Sequence, residues 1–214
     1  TYRVKVTNPY GTRTSNGALL TVGTVPVVTG QPTNFTAILD GNATFSATVS
    51  GTAPISYQWQ KGGLDIADAN AASYTISPVK VSNSGTYRVI ATSPFGTATG
   101  NPATLTVITP PVITTHPADT NATTGSTVTF DVNATGTIPL TYQWQKNGAD
   151  INGSTGSSLT LTNVQGDDNG TYRVIVSNPA GNATSNGAQL SVSLPATLAD
   201  FNNGLLAYYP FTGN

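Results

Sequence analysis

The chain has 214 residues with no cysteine and no methionine, and charged residues make up 8% of it, where about 25% is usual. Its acidic residues are all Asp, and its polarity comes from Thr, Ser, Asn and Gly, which suit strand surfaces and tight turns better than amphipathic helices. A net charge of −1 gives no long-range field for nucleic acid or an anionic membrane. No apolar run reaches the ~18 residues of a membrane span, no charged segment followed by an apolar stretch opens the chain as a signal peptide would, and a disulfide framework is excluded. The composition predicts an all-β protein.

The opening run TYRVKVTNPYG returns as TYRVIATSPFG from Thr86 and as TYRVIVSNPAG from Thr171, so Tyr2, Tyr87 and Tyr172 lie 85 residues apart. The register holds through Gly11, Gly96 and Gly181, then Ala18, Ala103 and Ala188, then Val22, Val107 and Val192. Segments of one length without insertion are copies of one module. The chain divides accordingly into residues 1–22, the closing strands of a preceding module, then two whole modules at 23–107 and 108–194. Residues 195–214 form a linker and the first strand of a following β domain. A start without Met, inside the strand-like TYRVKV, reads as a piece of something longer.

Within the second module, strand signals come at short intervals. Pro111–Thr115 reads as an edge strand ended by Pro117. Ser126–Ala134 turns Val128, Phe130, Val132 and Ala134 inward. Leu140–Gly148 (LTYQWQKNG) and its copy Ile55–Gly63 (ISYQWQKGG) hold the only two tryptophans, Trp144 and Trp59. Large apolar residues alternate there with Thr, Ser and Gln, the period-two pattern of a half-buried strand with the indole facing the core. Ser158–Leu161 follows, then Thr171–Ser177 with Tyr172, Val174 and Val176 inward. Asn182–Val192 closes the module as one strand with Ala188, Leu190 and Val192 inward. The first module repeats the pattern with Phe45, Ala47 and Val49, then Tyr74 and Ile76, then Tyr87, Val89 and Ala91, then Leu105 and Val107.

This order of landmarks resembles tandem immunoglobulin-like domains, closest to the I-set-like kind found on bacterial surface proteins. The resemblance implies two β-sandwiches without disulfides. Trp59 and Trp144 match the family's buried tryptophan on strand C. Asp168, Gly170 and Tyr172 match the corner before strand F, where the tyrosine hydroxyl bonds the backbone upstream; the first module has Asn83, Gly85 and Tyr87 there. The family's inter-sheet disulfide would join the positions of Ala47 and Val89, and of Val132 and Val174. Closing a loop of about 42 residues would contribute roughly 4 kcal/mol, and burying a valine returns about 1.5 to 3 kcal/mol. Ala47 fills less volume, so the first module is expected to be the less stable. The run GLLAYYPFTGN (Gly204–Asn214) resembles the opening strand of laminin-G-like, concanavalin-A-type jelly rolls, which implies a following domain that binds glycans or protein.

The residues offer little chemistry. His116, the only histidine, has no nucleophile turn nearby and reads as a solvated edge residue. Asp167 and Asp168 are neighbours in a turn, whereas paired glycosidase carboxylates stand about 5 to 9 Å apart on separate supports. Calcium at Asp167, Asp168 and Asn169, or at Asp40 and Asn42, lacks ligands, and zinc lacks Cys and His. No glycine-rich loop opens a helix to cradle phosphate. We therefore expect no enzyme activity, no metal and no cofactor. The outer face of strands C and F carries Gln58, Gln60, Arg88 and Ile90, repeated as Gln143, Gln145, Arg173 and Ile175. It reads as a solvated sheet face, with a glycan- or protein-binding patch as the alternative.

The sequence thus points to an extracellular or cell-surface structural protein, a rod of sandwich modules serving as a stalk or filament. Its expected partners are copies of itself or adjacent modules, and glycans through a following domain; nucleic acid and a membrane span are not expected. Thr1–Val22 would be strands F and G without A to E, with unpaired edges and bare apolar faces, so a neighbouring chain or subunit is expected to complete them by strand addition. The alternative is an adhesin or a carbohydrate-binding spacer of a secreted polysaccharide-active protein.

Overall fold

The computed structural model describes residues 1–195. They are all-β apart from two short 3-10 turns, Val81–Asn83 and Gly166–Asp168. The chain separates into two compact units at Val107 and Ile108. The jelly-roll-like run Gly204–Asn214 lies outside the described residues.

The first unit begins with a hairpin of β1 (Lys5–Asn8) and β2 (Gly11–Thr14). Its sandwich follows as β3 (Val27–Gly30), β4 (Phe35–Ile38), β5 (Ala43–Ser46), β6 (Thr48–Ser50), β7 (Ser56–Lys61), β8 (Leu64–Asp65), β9 (Ser73–Ile76), β10 (Gly85–Ser93), β11 (Gly96–Thr99) and β12 (Ala103–Ile108). The second unit repeats the series as β13 (Val112–Thr115), β14 (Thr120–Thr123), β15 (Val128–Asp131), β16 (Asn133–Thr135), β17 (Thr141–Lys146), β18 (Ala149–Asp150), β19 (Ser158–Leu161), β20 (Gly170–Asn178), β21 (Gly181–Thr184) and β22 (Ala188–Ser193).

In each sandwich one layer is a six-stranded sheet, in the order β4-β12-β10-β7-β8 and β14-β22-β20-β17-β18, with β11 and β21 pairing the far ends of β10 and β20. The pairs β3–β6 and β5–β9, and β13–β16 and β15–β19, form the opposing layer. β10 and β20 organise the fold. Their alternation sends Tyr87, Val89 and Ala91, and Tyr172, Val174 and Val176, into the core, and their register sets Val89 opposite Trp59 and Val174 opposite Trp144. Each indole donates to a carbonyl on the opposing side, Ala71 O and Gly156 O, both at 3.0 Å. That satisfies the one polar atom of a side chain with no exposed surface.

The closing strand departs from the sequence reading. Asn182–Val192 is not one strand: it breaks between β21 and β22. The first module breaks at the same place, between β11 and β12, where Gly100 stands for Ser185 and its N–H donates to Val89 O at 2.8 Å, so the break belongs to the shared plan and the Ser185 side chain reinforces it. Ser185 N–H donates to Val174 O at 2.9 Å, its hydroxyl accepts Val174 N–H at 3.0 Å and donates to Asn186 O at 2.8 Å. Beyond it, β22 gains a parallel neighbour, β14, with Thr120 opposite Leu190. Alternation slips by one residue at the break, with Ala183 and Ser185 inward before it and Ala188, Leu190 and Val192 inward after it.

The β1–β2 hairpin repeats the β10–β11 pairing in register: Lys5 faces Thr14 as Ile90 faces Thr99, and Asn8 faces Gly11 as Ser93 faces Gly96. Its apolar residues are uncovered. Val4 is 65% exposed, where its counterpart Val89 is 0% exposed.

The two cores differ by substitution within one plan. Ala43, Ala47 and Ala91 stand where the second module has Val128, Val132 and Val176, all six of them buried. Each difference removes about 1.5 kcal/mol of burial at roughly 0.8 kcal/mol per CH₂. Tyr74, in the place of Leu159, recovers part of this by stacking at 6.5 Å from Trp59 and 6.2 Å from Tyr87. One larger ring does not replace three valines. Hydrogen exchange read at the two indole N–H groups of the intact chain is expected to be faster for Trp59 than for Trp144; equal or reversed rates would refute the ranking of the modules.

Candidate functional site

The best-defined polar feature lies before β10 and β20. Tyr87 Oη donates to Asn83 O at 2.7 Å, and Tyr172 Oη to Asp168 O at 2.8 Å. Asp168 Oδ2 accepts Gln165 N–H at 2.8 Å, and Asn83 Oδ1 accepts Lys80 N–H at 2.6 Å. The amide does the work of the acid, so the change from Asp to Asn leaves the corner intact. Lys61 and Lys146 lie over the rings of Tyr87 and Tyr172, each nitrogen 5.9 Å from the centroid, and donate to Ser82 O and Asp167 O.

Burial pushes the Tyr87 phenol from 10.0 up to about 12, with Tyr74 adding a smaller charge effect. Burial does the same for Tyr172, also to about 12, with the Asp168 carboxylate adding to it.

The outer face of the large sheet is a relay of side chains. Gln60 and Gln145 are each only 8% exposed. Gln60 Oε1 accepts Arg88 Nε–H and its amide donates to Asp65 Oδ1, both at 2.7 Å. Gln145 joins Arg173 and Asp150 in the same way, again at 2.7 Å for both bonds. Gln58 donates to Trp59 O and Ile66 O at 2.9 and 2.8 Å, and Gln143 to Trp144 O and Ile151 O at 2.9 Å. The glutamines are spent on holding β7 to β8 and β17 to β18. What the face offers outward is the Nη edge of each arginine. Ile90 and Ile175 lie half-buried beside them.

His116 is exposed, and its Nδ1 accepts Asn186 N–H at 3.1 Å, a bond that ties the β21–β22 break to the first edge strand. Among the described residues no three His, Cys, Asp or Glu side chains cluster as a metal would require, and no helix is long and apolar enough to cross a membrane. The sequence reading missed a threonine clamp. Thr24 N–H donates to Thr52 Oγ1 at 2.8 Å and Thr109 N–H to Thr137 Oγ1 at 2.7 Å. In the second module the Asn178 amide adds bonds to Thr109 O and Thr137 O at 2.8 and 2.7 Å. The only sequence signal for it is that both threonines recur at the repeat interval.

With this geometry in place, the comparisons with known proteins are consistent with one another. A family model for the immunoglobulin domain matches residues 25–93 and again 110–178. The chain is 32% identical over 215 residues to the netrin receptor DCC of Rattus norvegicus, which covers 91% of this chain and 15% of the receptor. It is 30% identical over 189 residues to endoglucanase C of Cellulomonas fimi, covering 84% of this chain and 17% of that protein. An I-band fragment of titin superposes with a TM-score of 0.71 over 80% of this chain and 66% of the fragment, at 24% identity, a likeness of fold alone. The chain spans less than a fifth of either curated relative. These relatives do not single out a bacterial origin.

The raised tyrosines fix the sign of an alkaline effect. A phenol held neutral by the fold stabilises fully below pH 10, and that contribution is lost as pH rises from 10 toward 12. Each is worth about 2 to 3 kcal/mol at most. Denaturant titrations are expected to lose stability across that window, with Tyr87→Phe and Tyr172→Phe each flattening the loss; an unchanged slope in both variants would remove the tyrosines as its cause.

Proposed function

The chain belongs to the immunoglobulin-domain family, and we propose that it is a non-enzymatic structural segment of an extracellular or cell-surface protein, its modules serving as a rod-like stalk or filament. The observation that carries this reading is the repeat itself: one module length without insertion, in which polar groups on the large sheet are spent on the module's own strands. The join Val107-Ile108-Thr109-Pro110-Pro111 supports it, since successive prolines stiffen a short connection. Valine and alanine at the disulfide positions make folding independent of redox conditions.

Within this reading, the hairpin of β1 and β2 is completed by strands A to E of a like module, supplied by the same longer polypeptide or by a neighbouring subunit. Its edge and apolar face match those that β7 and Trp59 cover on β10, so the complementary surface is already defined. A second reading rests on the identity with endoglucanase C: the modules act as an adhesive or carbohydrate-binding spacer in a secreted polysaccharide-active protein.

Electron microscopy of the native material, following the β1–β2 hairpin into its surroundings, tests the first reading. A hairpin completed by another subunit supports a filament. Sedimentation of this chain supplies the solution counterpart: concentration-dependent association that Val4→Lys abolishes is expected for strand addition. A monomer at every concentration, with the hairpin touching nothing outside its own chain, would sink it. Glycan-array binding by the two modules would favour the second reading.

A further inference from the structure

We propose that the first module carries a carboxylate-binding site in the groove between the β7–β8 turn and the start of β12. The groove has a volume of about 260 Å³ and is lined by Gly62, Gly63, Thr86, Tyr87, Arg88 and Pro102. It stands independently of whether the module serves in a stalk.

The two modules act as each other's control. In the second, Asn147 opens the β17–β18 turn with φ 51. Its N–H donates to Thr171 O at 2.8 Å, and its side-chain Oδ1 accepts Thr171 N–H at 2.9 Å. In the first, Gly62 takes the same turn with φ 57 and its N–H makes the same bond, to Thr86 O at 2.9 Å. It has no side chain to make the second bond. Thr86 N–H points toward this turn, because its neighbour across the ladder, Thr104, turns its own N–H the other way, to Asn34 Oδ1 at 2.8 Å. Among the described residues Thr86 N–H has no acceptor. The first module presents a donor at the place where the second supplies a planar carboxamide of its own.

A second donor faces the same groove. Arg88 commits Nε to Gln60, and its Nη2 extends over Gly63, where an added Cβ would stand 3.9 Å away. Neither Nη group of Arg88 bonds a described residue. Gln60 is more than nine-tenths buried and is itself held by Asp65, so the guanidinium is fixed in advance. A carboxylate has the planar shape of the Asn147 carboxamide and carries a negative charge. One oxygen takes Thr86 N–H and the other meets the arginine, a charge-assisted pair that a neutral amide does not match.

The carboxylates of a sugar acid and of an acidic amino acid share this chemistry, so both serve as probes. The intact ¹⁵N-labelled chain is titrated with glucuronate and, separately, with N-acetylglutamate, against chloride at matched ionic strength. The Thr86 amide and Arg88 Nε–H signals are expected to shift saturably, with a dissociation constant of about 1 mM, while the Thr171 amide stays still. Response to one probe alone identifies the source; response to both assigns the site to the carboxylate itself. Gly62→Asn, which copies the second module and meets nothing within 4 Å at its Cβ, is expected to weaken binding at least about tenfold by filling the site. Asn147→Gly is expected to make Thr171 respond. No saturable shift at Thr86, an equal shift at Thr171 in the unaltered chain, or undiminished binding in Gly62→Asn would each overturn the proposal.

Discussion

Everything in this fold depends on how two sheets are joined without a covalent bridge. The join is aromatic. Phe45 stacks on Tyr87 at 4.8 Å and Phe130 on Tyr172 at 5.1 Å, each pair linking the small layer to the central strand of the large one. Each tryptophan closes the stack from the neighbouring strand, 6.1 and 6.3 Å from the same phenylalanine. Such pairs contribute about 0.5 to 1.5 kcal/mol beyond their burial, so four in the first module and two in the second stand in for part of what a disulfide supplies. The rest comes from position: Val89 and Val174, where the family's bridge would attach, have no exposed surface. A core tied by packing instead of by a bond is sensitive to volume, which is why three alanines in the first module matter.

The tyrosines serve this join at their other end. Their rings belong to the core, yet each hydroxyl reaches a carbonyl four residues upstream. That bond anchors the turn entering β10 or β20 and so sets which face of the nine-residue strand turns inward. Slipping the strand by one residue would expose every inward side chain and also break the corner. Register is therefore specified twice, once by apolar area and once by a hydrogen bond, which explains how polar strands with few charges still pair in a single way.

Much of this was legible in the sequence because it depends on alternation and on residue type. Trp59, Trp144, Tyr87 and Tyr172 are large, recur at one interval and sit at period-two positions, so their burial follows from pattern. Two kinds of feature escaped. The break at Ser185 shows in the sequence only as a one-residue slip between Ala183 and Ala188, and a serine that bonds backbone on both sides looks like any polar residue on a strand. The fate of the glutamines was also hidden. Gln60 and Gln145 occupy outward positions, and nothing in their spacing says that an arginine and an aspartate on adjacent strands cover and saturate them. Pattern assigns a face; it does not assign partners that come from elsewhere in the chain.

Repeats offer a way past that limit, because two copies of one module expose which bonds are optional. The corner keeps its bond with Asp168 or Asn83, since either side chain offers an oxygen at that place. The turn at Gly62 and Asn147 behaves differently. Both residues adopt the left-handed conformation that glycine and asparagine tolerate best, so backbone geometry is indifferent to the exchange. What changes is one acceptor at the edge of β10, together with Pro102 at the rim of the groove, which is Gly187 in the second module. The relay beside it is retained: the arginine, the buried glutamine that holds it and the aspartate behind that glutamine. The Nη edge faces the turn in both modules, over Gly63 in the first and over Gly148 in the second, and the first module is the copy that leaves room beside it.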